Sequence, residues 1–146
     1  MHRFLKYWLP PLVWAAVILS ASSDLFSSTH TGGWIERITS WFGPSLAPAT
    51  LDLVNRVLRK LGHLTAYAIL SALSFRSLRG EGPGWRLRWA VGAIVMALLV
   101  ASIDEFHQSF VASRTGTWHD VVIDAAGATL MQITIRAAQV LLFKPT

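Results

Sequence analysis

Cysteine is absent from this 146-residue chain, so it can form neither a disulfide nor a thiolate metal centre, and its redox compartment is left open. Charge is scarce too: 14% of residues are Asp, Glu, Lys or Arg, against roughly 25% in soluble domains. Acids are the scarcer sign, eight against thirteen Lys and Arg, for a net charge of +5. Such basicity raises nucleic acid as a partner, but the cations are not gathered into a groove or arm, and no nucleic-acid partner is expected. Internal repeats and low-complexity tracts are missing as well. What the chain has is apolar surface, 53% of its residues. The length and composition describe a small integral membrane protein, one domain over residues 1–146.

Four apolar stretches approach the roughly 20 residues that cross a bilayer: 7–22, 61–78, 89–110 and 121–143. The expected fold is all-α, a polytopic bundle of four transmembrane helices. Pro10 and Pro11 in the first stretch are tolerable only near a helix start. A basic "MHRFLK" followed by "SAS" at 20–22 resembles a signal peptide. Its richness in Trp and Pro, and the want of a soluble domain to export, argue against cleavage. With both termini on the cytoplasmic side of the inner membrane, eight Lys and Arg lie inside and five outside, and "SLRGEGPGWRLR" is the strongest positive-inside segment. Seven of the eight acids then face outward. In the first outer loop, "WIERITSWF" (34–42) sets Trp34, Ile35, Ile38, Trp41 and Phe42 on one helical face, predicting a short interfacial helix. Pro44 and Pro48 break it, and Thr50 is placed to cap the second spanning helix.

The acids that exist are oddly placed. "SIDEFHQSFVASR" (102–114) follows directly on an uncharged run, and carboxylates in hydrocarbon cost about 2.5–3.5 kcal/mol each on insertion scales. Asp104 and Gln108 are four apart, with Glu105 beside them and His107 on the flank. On the second helix Arg56, Lys60, His63 and Tyr67 form one stripe at 100° per residue. Arg56 alone also fits an interfacial cation snorkelling to phosphate. On the fourth, Asp120, Asp124, Gly127 and Met131 share a face. Thr117 makes Asp120 a candidate for capping-box work, but Asp124 is a full turn further in. Gly127 permits a close helix approach. Lys60, Arg114 and Arg56 can neutralise Asp104, Glu105, Asp120 and Asp124 if these helices pack together. A structural ion network satisfies the same arithmetic, but intramembrane ionisable clusters usually line a site.

"RKLGHLTAYAIL" (59–70), "DEFHQSFVASR" (104–114) and "DVVIDAAG" (120–127) together resemble the VanZ-like family of small bacterial membrane proteins, over core motifs 56–131. The family's polar signature corresponds to Lys60, His63, Tyr67, Asp104, Glu105, Gln108, Arg114, Asp120, Asp124 and Gly127. Ala66 departs from it, standing where members often carry an acid before the tyrosine. The resemblance implies cell-envelope work, and the family's name comes from a member associated with resistance to the glycopeptide teicoplanin.

The resulting expectation is an enzyme, a hydrolase or transferase, acting on a phospholipid or polyprenyl-phosphate head group in the outer leaflet. His63, Asp104, Glu105 and Asp124 are the candidate catalytic groups. Lys60, Tyr67, Gln108, Arg114 and Asp120 are the candidate substrate contacts, the cations suiting phosphate. No cofactor is required by the sequence, although His107 and the acids could hold a divalent cation. The alternative is a non-catalytic lipid- or antibiotic-binding protein that alters the cell surface.

Overall fold

The computed structural model describes residues 2–22, 37, 41, 47–110 and 118–142. These contain four helices, α1 His2–Ala21, α2 Pro48–Arg79, α3 Leu87–Gln108 and α4 Trp118–Leu142, and among the described residues no strand. The helices α1, α3 and α4 are long and apolar enough to cross a membrane. In α2, the charges of Asp52, Arg56, Arg59 and Lys60 dilute the first half. The expected interfacial helix over 34–42 falls, apart from Arg37 and Trp41, outside the described residues, as do Arg114 and Thr117.

The bundle is inverted relative to a water-soluble one. Large apolar side chains such as Leu12, Val17, Val91, Val95, Leu99, Ile103, Leu130 and Ile133 are exposed. The interior of α3 is instead a seam of small residues, Ala90, Ala93, Ala97 and Ala101, that continues in register as Asp104 and Gln108. Without a hydrophobic force between helices in lipid, small residues permit close contact and polar side chains bind helices together. That is the surface of a chain whose solvent is hydrocarbon.

Registers fix the topology. Arg59 pairs with Asp120, His63 with Asp124 and Ser71 with Gln132, each 61 residues apart. A constant offset means that α2 and α4 run parallel. Their backbones come into direct contact at Gly127, where an added Cβ would run into the Leu64 carbonyl, 3.0 Å from its carbon and 3.1 Å from the Leu64 Cα. The short turn after α2 makes α3 antiparallel to both. Gly80 opens it at φ 55°, which L side chains avoid, with its N–H bonded to Arg76 O at 3.0 Å.

Two boundaries differ from expectation. The helix α2 starts with Ala47 as N-cap and Pro48 in its first turn, so Thr50 lies inside it and does not cap. Proline's fixed φ and missing N–H suit that first position. The helix α1 begins at His2, which puts Pro10 and Pro11 in its middle, not near its start. Prolines there strand the carbonyls four residues back, those of Lys6 and Tyr7. The structure answers both from α2: Arg76 Nη1 donates to Lys6 O at 3.2 Å and Ser77 Oγ donates to Tyr7 O. Further along, Trp14 Nε1 donates to Ala66 O at 2.9 Å, so α1 runs antiparallel to α2.

Candidate functional site

The four-residue spacing of His63 and Tyr67 on α2 meets the same spacing of Asp120 and Asp124 on α4, and the parallel register turns the match into a ladder. At its mouth Arg59 Nη2 donates to Asp120 Oδ2 at 3.0 Å, with the two side chains 32% and 12% exposed. One turn deeper, His63 Nδ1 lies 3.2 Å from Asp124 Oδ1, and Asp124 is 1% exposed. With the proton on Nδ1 that contact is a donated hydrogen bond, and Nε2 keeps its lone pair. The imidazole stacks on Tyr67, ring centroids 6.2 Å apart.

Asp104 is the second centre. It is fully buried, and α2, α3 and the residue just after α1 each send a donor to one of its oxygens. Ser22 Oγ donates to Oδ2 at 2.8 Å, Gln108 Nε2 at 3.0 Å and Tyr67 OH at 3.4 Å. Tyr67 therefore touches both centres, stacked on His63 and bonded to Asp104. His63 and Tyr67 each lie within electrostatic reach of both Asp104 and Asp124.

Asp104 Oδ1, Asp124 Oδ2 and Gln108 Oε1 are enclosed and have no hydrogen-bond partner among the described residues. All three are acceptors, and buried acceptors are ordinarily matched. A hydroxyl, an amine or water would complete them. An imidazole held through Nδ1 can take a proton at Nε2, so the site has a part suited to general-base chemistry.

The structure brings together six of the residues expected from the sequence, His63, Tyr67, Asp104, Gln108, Asp120 and Asp124, at one end of the bundle. Glu105 is buried beside Asp104 on α3. Lys60 and Arg56 are exposed instead, and among the described residues of α2 the cation that meets Asp120 is Arg59. On α2 a residue three or four before His63 reaches the same face, so Lys60 and Arg59 were equally eligible; the repeat of four shared by 59, 63, 120 and 124 was the available signal. Ser22 was also missed, because a lone serine at a helix end has no periodicity. His107 is exposed, apart from the buried acids. Among the described residues, no three His, Asp or Glu are grouped so as to hold a metal ion.

Compared with known proteins, residues 7–141 match the sequence model of VanZ/LLP1. No curated protein and no solved structure matches the chain.

Proposed function

The chain belongs to the VanZ/LLP1 family, and from that membership and the layered charge of its site we propose that it acts on a lipid head group at the outer face of the bacterial cytoplasmic membrane. The head group is that of a phospholipid or a polyprenyl phosphate, in cell-envelope metabolism or glycopeptide resistance. In this reading α2 is the fourth span, crossing with residues 61–78 while its charged first half rises beyond the hydrocarbon. Its packing against all three other helices supports this. Both termini are cytoplasmic, on the eight-to-five distribution of Lys and Arg.

The observation that carries the proposal is the vertical order of the ladder. Arg59 stands at the mouth, and about 6 Å deeper, one turn of four residues, come His63 and Asp124. A phosphate at Arg59, with Lys60 and Arg114 as further cations, leaves the hydroxyl or amine part of the same head group at the unmatched acceptors of Asp104, Gln108 and Asp124. His63 Nε2 takes the proton from the hydroxyl or water as its oxygen attacks the phosphorus, and the P–O ester bond to the departing alcohol breaks. The imidazolium returns the proton to that alcohol while Asp124 holds the ring. Tyr67 and Asp120 position the guest from the two sides, and Glu105 adds charge beside Asp104. Binding without turnover, of lipid or antibiotic, is the second reading. The Arg59–Asp120 pair favours it, since Asp120 already neutralises a cation that a reacting phosphate needs.

Native mass spectrometry of the purified protein in mild detergent, combined with an assay for released head group, separates these readings. A phosphate-bearing lipid is expected on the wild type and lost when Arg59→Gln and Arg114→Ala are combined. The His63→Gln protein is expected to keep the lipid and stop turnover. Lipid retained equally by the double variant would reject the head-group site, and unchanged turnover in His63→Gln would reject the chemistry.

A further inference from the structure

At the end of the bundle away from the acids, charge of one sign accumulates without a counterpart. Arg3, Lys6, Arg76, Arg79, Arg86, Arg88 and Arg136 stand there against one acid, Glu81. Glu81 is already engaged by Arg3 at 2.8 Å. Three of the other cations are gathered on two indoles. The guanidinium carbons of Arg86 and Arg88 lie 5.0 and 5.4 Å from the Trp89 ring centroid, and that of Arg136 lies 5.3 Å from Trp85. Both indoles pack with Phe75, Ala90, Ala93 and Ile135 in one cluster, so α2, α3 and α4 meet at this corner.

Arginines that only direct insertion need no such arrangement, and two further features set this corner apart. The helix α3 begins here with Arg86 as N-cap, without a side-chain cap and without an acid in its first turn. The helix dipole favours an anion at that position, and Arg86 and Arg88 oppose it unless one is bound. In addition, Arg79 Nε and Trp85 Nε1 are enclosed N–H donors with no acceptor among the described residues. Donors are in surplus here as acceptors are at the other end. An oxygen-rich anion at the surface answers the gathered arginines and the uncapped helix start.

We propose that this corner binds the phosphodiester of an anionic phospholipid from the adjacent leaflet. Arg86, Arg88 and Arg136 hold the phosphate, and Trp85 and Trp89 sit at head-group level. A lipid suits the place better than free phosphate, because Leu87 and Val91 on the same helix are 65% and 49% exposed and offer a track for acyl chains. The site uses none of the acids at the other end and stands or falls independently of the head-group chemistry proposed there.

The test is native mass spectrometry of the whole protein in mild detergent, titrated with phosphatidylglycerol, phosphatidylcholine or inorganic phosphate. One phosphatidylglycerol is expected to be retained in preference to phosphatidylcholine. Arg86→Gln and Arg136→Gln are each expected to weaken its binding about fivefold, the usual contribution of one cation near an anionic lipid. Both side chains are exposed, so folding is unaffected, with helicity by circular dichroism as the check. Arg3→Gln, whose charge Glu81 already neutralises, is expected to leave the affinity unchanged. Equal retention of the two lipids overturns the proposal, as does an equal loss in Arg3→Gln, which would mean general surface charge. Displacement of phosphatidylglycerol by inorganic phosphate would identify a free-phosphate site and overturn it as well.

Discussion

Replacing Gly127 by alanine puts one methyl group where two helix backbones meet, and the outcome can be worked out from the contact itself. The new Cβ would collide with the Leu64 carbonyl oxygen and stand 3.0 Å from its carbon, whereas ordinary contact begins at 3.4 Å. Backbone cannot rotate aside, so α2 and α4 must part by at least that shortfall. Overpacking of this kind costs about 1–3 kcal/mol, and a rigid neighbour places it at the upper end. Alanine recovers about 1 kcal/mol of helix propensity. The net loss is about 2 kcal/mol, roughly 30-fold in the folded fraction. The strain also falls beside His63, whose 3.2 Å contact with Asp124 is already at the long end for a hydrogen bond. Gly92→Ala is the matched control, because its Cβ meets only the tip of Leu78, a side chain free to turn. Reversible unfolding in mixed micelles, titrated with dodecyl sulfate, compares the two. Equal stabilities for Gly127→Ala and Gly92→Ala would refute the reasoning, since only the backbone contact distinguishes them.

Ser22→Ala removes the α1 donor to Asp104 and is expected to cost about 1 kcal/mol in the same titration, more than the exposed Ser102→Ala. Arg59→Gln is expected to destabilise by up to about 1 kcal/mol, as its ion pair is partly solvated, while Lys60→Gln is neutral; the reverse order would restore Lys60 as the partner of the acids. A thiol introduced by Pro83→Cys should react with an impermeant reagent only after cells are opened. Labelling in intact cells would invert the proposed orientation.

The helices were legible because lipid imposes a simple pattern on them: apolar runs of sufficient length, with acids where no acid belongs. Asp104, Gln108 and Asp124 identified themselves by that contrast. Their partners did not. Arg59 and Lys60 are neighbours in the chain with equal claims by spacing, and only the offset of 61 between α2 and α4 separates them. Ser22 and the carbonyls freed by Pro10 and Pro11 carry no periodic signal, since what they meet is set by a different helix. The two prolines, read as marking a helix start, mark a helix middle because α2 supplies what they remove.

That rescue bears on how the protein is made. When α1 leaves the insertion machinery, the carbonyls of Lys6 and Tyr7, at the charged end of the helix, have no partner within their own helix. Arg76 and Ser77 are synthesised some seventy residues later, at the far end of α2. The hydrogen bonding of the first helix is thus completed only when the second is nearly whole. Two adjacent carbonyls bonded from α2 fix the rotation and height at which α1 sits in the bundle, and in that setting Ser22 meets Asp104.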